Sequence, residues 1–149
     1  MVLRAICGEG CSELLLDAAS SVPLDRIVLA GARDMDDAEA EFIAEHGMST
    51  LTANDLETPD ALLAALRAIG AQHVYLHVGL DVLDPAALNG LADLVPFGVQ
   101  VDALTRSITA VRAEFTLAGA TIAGFAPATI TAGNDDMSSI LRIIGALTR

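Results

Sequence analysis

Lysine and tryptophan are absent from the 149 residues, aromatic residues make up 3%, and cysteine occurs only twice. Each scarcity excludes something. Eight basic residues, all arginine, stand against 20 acidic ones, so the formal net charge is −12. Nucleic acid and anionic membranes are therefore not expected partners, because both require a positive footprint. Two cysteines, Cys7 and Cys11, are too few for a disulfide framework. Their spacing around Gly8-Glu9-Gly10 also lacks the further Cys or His that a zinc site needs, so they are expected to be buried or half-buried thiols. No apolar run approaches the length of a membrane span. The N-terminal MVLRAICGEG does not read as a signal peptide, and a reducing, cytoplasmic setting is the expectation. With so few rings, the core must be aliphatic.

Apolar residues are abundant, at 53%, against roughly 45–50% in an ordinary globular chain. The length suits one domain, residues 1–149, large enough to bury a core without metal or disulfide staples. The high acidic charge keeps so apolar a chain soluble.

Short β-branched runs alternate with helical periods, which predicts an α/β layer fold around a parallel sheet. A short helix is expected from Cys11 to about Ala19, with Leu14, Leu15 and Ala18 on one face. Arg26–Ala30 reads as a strand, ending at Gly31. Asp36 and Glu39 form an acidic capping box for a helix to about His46, which Gly47 closes. Ser49–Thr52 reads as a second strand. Thr58-Pro59-Asp60 opens a helix whose stripe is Leu62, Leu63, Leu66 and Ile69. His73–Leu80 is the third strand. A long connection follows, from Asp81 to Val101. Asp102 or Thr105 opens a helix to about Leu117, Thr121–Phe125 is the fourth strand, and a last helix runs from about Asp136 to Leu147. The predicted architecture is three-layered, with about four parallel strands and helices on both faces.

Ligands of open parallel sheets bind beyond the carboxyl ends of the strands. Three of the four ends are unremarkable: Gly31–Asp34, Asn54 with Asp55, and Ala126–Thr129. At the third, Asp81 and Asp84 lie three residues apart and Pro85 stops the segment. Carboxylates so placed suit a hard cation such as Mn or Mg. They equally suit a strand cap and an Asp-Pro turn, which is the simpler reading of bare spacing. His73 and His77 share a strand face. His77 is the candidate for a base or ligand at the crevice, against the plainer role of a hydrogen-bonded strand histidine. His46 fits the negative end of a helix, and Asp34–Asp37 a solvated helix start. There is no GxGxxG phosphate loop and no Gly-x-Ser-x-Gly elbow.

The segment HVYLHVGLDVLDP resembles the second metal motif of the ureohydrolase superfamily, the arginases, agmatinases and formimidoylglutamases. IVLAGARDMDDAEAEFI is similar to the strand, Gly-x-Arg-Asp turn and helix that precede that motif. MVLRAICGEG resembles the stretch after the family's substrate loop, and TIAGFAPATI its last strand. The ordered run covers nearly the whole chain. It implies a truncated arginase-like fold that keeps the C-terminal half, because family members are about twice this length.

Departures from the pattern set the functional expectation. The family's first metal motif has no counterpart here. Gly79 stands where a metal-binding Asp is expected, leaving Asp81 with Asp84 nearby. Thr129 falls near the family's active-site Glu. Two dications about 3.5 Å apart need several carboxylates to offset their repulsion. No dinuclear manganese centre and no ureohydrolase activity are therefore expected of the chain alone, which would act as a pseudoenzyme or interaction domain. Mn is implied only if another chain completes the site, giving an arginase- or agmatinase-type hydrolase of guanidinium C–N bonds. A small-ligand domain is a third possibility, with a crevice of Arg33, Asp34, Asp81 and Asp84, in which Arg33 pairs with one of the acids. In the family, the strand of the missing motif lies between those matching His73–Leu80 and Arg26–Ala30. The two would then either pair directly, in order 2-1-3-4, or receive a strand from elsewhere. Open edges make a homodimer or a complementary chain the expected partner.

Overall fold

The computed structural model describes residues 2–15, 17 and 20–148. Its regular elements are α1 (Val2–Ile6), β1 (Val28–Ala30), α2 (Asp37–Glu45), β2 (Ser49–Leu51), α3 (Asp60–Ala68), β3 (His73–Gly79), α4 (Val101–Glu114), β4 (Thr116–Ala123) and α5 (Ile130–Thr148). Alternating strands and helices, with every strand pair parallel, bear out the α/β expectation.

Local chemistry explains several boundaries. The Asp36 carboxylate accepts from the Glu39 N–H at 2.8 Å, and Glu39 accepts in return from the Asp36 N–H at 3.3 Å, so the capping box of α2 is formed. Gly47 follows α2 with φ +57°, the conformation expected of the closing residue. α3 starts directly after Pro59 and buries Leu66.

Other expectations are corrected. Of the helix expected over Cys11–Ala19, a single 3-10 turn forms at Ser12–Leu14, where Leu14 is 70% exposed. Ala18 and Ala19 lie outside the described residues. The fourth strand begins five residues earlier than the β-branched run suggests, and α4 ends sooner. The helix expected to reach Leu117 yields to partners on β3 at its end, with His73 opposite Thr116 and Val74 opposite Leu117. α5 starts at Ile130 rather than Asp136, because Thr129 caps it: its Oγ1 accepts from the Ala132 N–H at 3.1 Å.

The main correction concerns the sheet. The four strands form two parallel pairs, β1-β2 and β3-β4, and the direct pairing of β1 with β3 required by order 2-1-3-4 is not made. β1 and β3 are not hydrogen-bonded neighbours in either pair. Both pairs nevertheless rest on one core. Val28 of β1 and Leu76 of β3 pack against a cluster of Leu66, Val74, Val111 and Phe115. Ala30 and Leu51 pack against a larger cluster that includes Val78, Leu80, Leu83, Val99, Ile108 and Ile143. The helix layer therefore continues beneath a sheet that is interrupted between β1 and β3. Along β3, Val74 and Val78 are buried while His73, Tyr75 and His77 are exposed, so helix cover lies on one side there.

The long connection after β3 is ordered by burial. Leu83, Leu88 and Val99 are at most 1% exposed. Leu83 bridges Val99 in parallel, and the connection closes over the carboxyl end of β3.

Candidate functional site

The carboxyl ends of β1 and β3 come together through side chains. Gly31, at the end of β1, has φ +75°, and a Cβ there would stand 2.6 Å from a methyl group of Val82. Two residues on, Arg33 reaches across. Its Nη1 donates to the carbonyl oxygens of Val95 at 2.7 Å and Pro96 at 2.8 Å. Its Nη2 donates to the carbonyls of Asp81 and, at 3.3 Å, of Leu83. The expected pairing of Arg33 with a carboxylate is thus replaced by a set of main-chain carbonyls. Backbone acceptors held in a packed turn take the two terminal nitrogens without the side-chain ordering a mobile acid would require, while the buried Nε has no hydrogen-bond partner.

Asp84 is a turn carboxylate. It accepts from the N–H groups of Ala86 at 2.9 Å and Gly98 at 3.2 Å. These bonds, the Phe97 N–H and the nearby charge of Arg33 hold its carboxyl below the usual carboxylate range, with the Ala86 bond the largest cause. Phe97, at φ +64° and 87% exposed, forms the tip of the loop that supplies two of these donors.

Asp81 differs from Asp84. It is exposed, and its carboxylate makes no hydrogen bond or ion pair among the described residues. The carboxylate folds back over Gly79, where an added Cβ would lie 2.5 Å from its Oδ1. His77, opposite Thr121 on β4, is exposed and forms no side-chain hydrogen bond among the described residues, so the hydrogen-bonded strand role is not seen. Thr129 caps α5, as described above. Among the described residues no three His, Cys, Asp or Glu side chains converge as metal ligands. Asp34, with φ +50°, is exposed.

The remaining candidates have local roles. His46 donates from Nδ1 to the Phe42 carbonyl at 2.8 Å, lies tilted against the Phe42 ring with centroids 4.3 Å apart and faces Glu9 at 3.7 Å. That is a helix-end residue, as its position suggests. Cys7 and Cys11 are free thiols. Cys11 is exposed rather than half-buried and donates to Glu13 at 2.6 Å, while burial pushes the Cys7 thiol up. Asp55 closes a turn by accepting from the N–H and hydroxyl of Thr52, at 2.8 and 2.7 Å.

Two further features were not read from the sequence. Asp136, 5% exposed, accepts from the N–H groups of Gly90 at 2.6 Å and Asn89 at 3.1 Å, tying α5 to the connection after β3. Its acid-rich neighbourhood, Asn134-Asp135-Asp136, had suggested only a helix start. A groove of about 540 Å³ between α4 and α5, lined by Thr105, Thr109, Leu141 and Arg142, lies away from the strand ends.

Comparison with known proteins places this geometry. A family model described as "Arginase family" matches residues 4–147. Arginase of Staphylococcus aureus (strain COL) is 32% identical over 105 residues, which cover 66% of this chain and 35% of the relative. Among solved structures, arginase from Bacillus subtilis superposes with a TM-score of 0.84 at 21% identity, covering 97% of this chain and 52% of that one. Entamoeba histolytica arginase, solved with L-ornithine, gives 0.81 at 19%, covering 97% and 50%. Proclavaminate amidino hydrolase from Streptomyces clavuligerus gives 0.67 at 20%, covering 87% and 44%. The chain thus spans about a third of the curated relatives it matches and about half of the similar solved chains.

Proposed function

Because the chain belongs to the arginase family, we propose that its 149 residues act as the C-terminal half of an arginase-type module and do not hydrolyse a guanidinium substrate by themselves. The observation that carries this reading is the donor set at the end of β3. Position 79 is glycine and offers no ligand. The carboxylate of Asp84 is engaged by main-chain N–H groups, with the Arg33 cation beside it. Asp81 alone presents unengaged oxygens. These residues do not fit a pair of manganese ions about 3.5–4 Å apart, whose mutual repulsion must be offset by several carboxylates.

Purified protein, metal analysis and an assay for urea release from arginine and agmatine in the presence of Mn test the reading. The expected result is no tightly held Mn pair and no urea. Two Mn per chain retained through gel filtration, or turnover, would overturn it.

One observation favours a second reading, a Mn-dependent hydrolase of guanidinium C–N bonds completed by another polypeptide. β1 and β3 keep unpaired edges over a shared core. In that case Asp81 is the ligand this chain contributes, and urea release appears only when the complement is present.

A further inference from the structure

The short helix α1 has little core of its own. None of residues 3–6 is buried, and the turn that follows passes through Gly8 and Gly10, both at positive φ. Three side chains tie this segment to α2. The Arg4 guanidinium lies 4.5 Å over the ring of Phe42, which is buried. Its Nη2 donates to Glu9 Oε2 at 3.1 Å. The other carboxylate oxygen, Glu9 Oε1, faces His46 Nε2 at 3.7 Å. Glu9 therefore stands between a permanent cation on α1 and a titratable ring at the end of α2.

The orientation of that ring decides what the second contact is worth. A carbonyl oxygen has no hydrogen to give, so Nδ1 donates to the Phe42 carbonyl at 2.8 Å. In the neutral ring the single N–H is thereby spent, and Nε2 turns a lone pair towards a carboxylate. Two acceptors gain nothing from each other. A proton added at Nε2 makes both nitrogens donors, and the same contact becomes an ion pair. Residue 46 also closes α2, where the helix dipole is negative and a cation is favoured.

Other charged and titratable groups near the ring do not take over this role. Arg4 is engaged by Glu9 Oε2. Burial, and then the Glu9 charge, push the Cys7 thiol up, so it is neutral wherever a histidine titrates. On α2, Glu41 and Glu45 are exposed. Asp25 and Arg26 line a groove with Gly47, the next residue, but Arg26 donates to the Ile69 carbonyl. Among the described residues, Glu9 is the acid that faces the ring within ion-pair distance.

We propose that Glu9 and His46 form a proton-operated clasp: protonation of His46 Nε2 draws Glu9 Oε1 onto the end of α2 and fixes α1 there, and loss of the proton leaves α1 held through Arg4. α2 leaves from the carboxyl end of β1 and returns to the start of β2, so its last residue stands by the amino ends of these strands. The clasp thus lies away from Asp81 and is independent of any metal chemistry there. Its sign follows from linkage. A proton bound more tightly in the folded state stabilises fully below the ordinary histidine value of about 6.5, and the gain is lost as pH rises past it.

A double-mutant cycle on the full chain tests this. Glu9→Gln, His46→Gln and the double variant are compared with the unmodified chain by urea denaturation at low salt. The two pH values lie one unit either side of the histidine value, at about 5.5 and about 7.5. Both side chains are partly exposed, so their replacement leaves the core intact. Other titrating groups, His73 and His77 included, are common to all four proteins and cancel. The coupling is expected to favour the folded state about two- to fivefold at the lower pH, the size of an exposed ion pair, and to vanish at the higher. Equal coupling at both values, stronger coupling at the higher, or none at either overturns the proposal. Backbone amide relaxation at residues 8–10 reads the clasp even where α1 loosens ahead of global unfolding. These amides are expected to be more ordered at the lower pH in the unmodified chain and to lose that response in His46→Gln. The same response in both proteins overturns the proposal as well.

Discussion

Gly98 stands so close to Asp84 that it has no room for a side chain. A Cβ at position 98 would run into the backbone of Leu83 and Asp84, and the Gly98 N–H donates to Asp84 Oδ2 at 3.2 Å. Because the obstacle is main chain, it cannot rotate away. Gly98→Ala is expected to destabilise the fold by about 1–3 kcal/mol through forced displacement of the turn. Urea denaturation measures it, and a change below about 0.5 kcal/mol, the range of neutral surface substitutions, would contradict the tight approach.

Acid should weaken the protein through carboxylates that are held ionised. Asp84, Asp55, Asp102 and Glu114 all have carboxyl groups below their ordinary range. Main-chain donors act on Asp84, Thr52 on Asp55, Arg142 on Asp102 and Arg67 on Glu114. The folded state binds fewer protons than the unfolded one near the ordinary carboxylate pKa of about 4. The stabilisation is therefore complete above that value and is lost as pH falls below it towards the depressed folded values. Melting temperature should drop between pH 6 and pH 3, and Asp84→Asn should drop less. An equal drop in the variant would remove Asp84 from this account.

Gly31 and Gly47 separate strain from crowding. Both have positive φ, +75° and +57°, but an added Cβ meets Val82 at 2.6 Å in the first case and open space in the second. Gly47→Ala is expected to cost about 1–2 kcal/mol from conformation alone. Gly31→Ala adds an overpacking cost of about 1–3 kcal/mol. Matched denaturation curves test the order; equal losses would show that the contact at Val82 relaxes freely.

Removing the buried carboxylate of Asp136 should unpin the connection after β3. Asp136→Ala leaves the N–H groups of Asn89 and Gly90 without their acceptor, at a cost of about 2–4 kcal/mol. Amide exchange at 88–92 should quicken more than elsewhere. Uniform quickening across the chain would instead mean a global loss only.

Restoring a carboxylate at the end of β3 should not create the metal pair. In Gly79→Asp, the new side chain must displace the Asp81 carboxylate that overlies position 79. Two carboxylates at one strand end still fall short of what two dications require. The expected outcome is a modest thermal shift with added Mn and no pair retained through gel filtration. Retention of two Mn per chain would refute the shortage of donors argued above.

Periodicity and end signals made much of this chain legible before folding. The alternation of β-branched and helical segments, the capping box of Asp36 and Glu39, and the start of α3 at Asp60 are short-range features, decided within a few residues. The motif around Gly79, Asp81 and Asp84 was equally visible, including the glycine that removes a ligand. What short-range signals do not encode is which partner a strand meets. Thr116 and Leu117, expected at the end of a helix, become strand because β3 lies beside them, and the capping role of Thr129 depends on where α5 packs. Arg33 could be foreseen near the acids, but not that carbonyls of four residues would take its hydrogens. Only the tertiary structure decided that β1 and β3 stay apart. Edge pairing is settled by the whole helix layer that positions each strand, and a strand's own residues are the same whether its edge is filled or open.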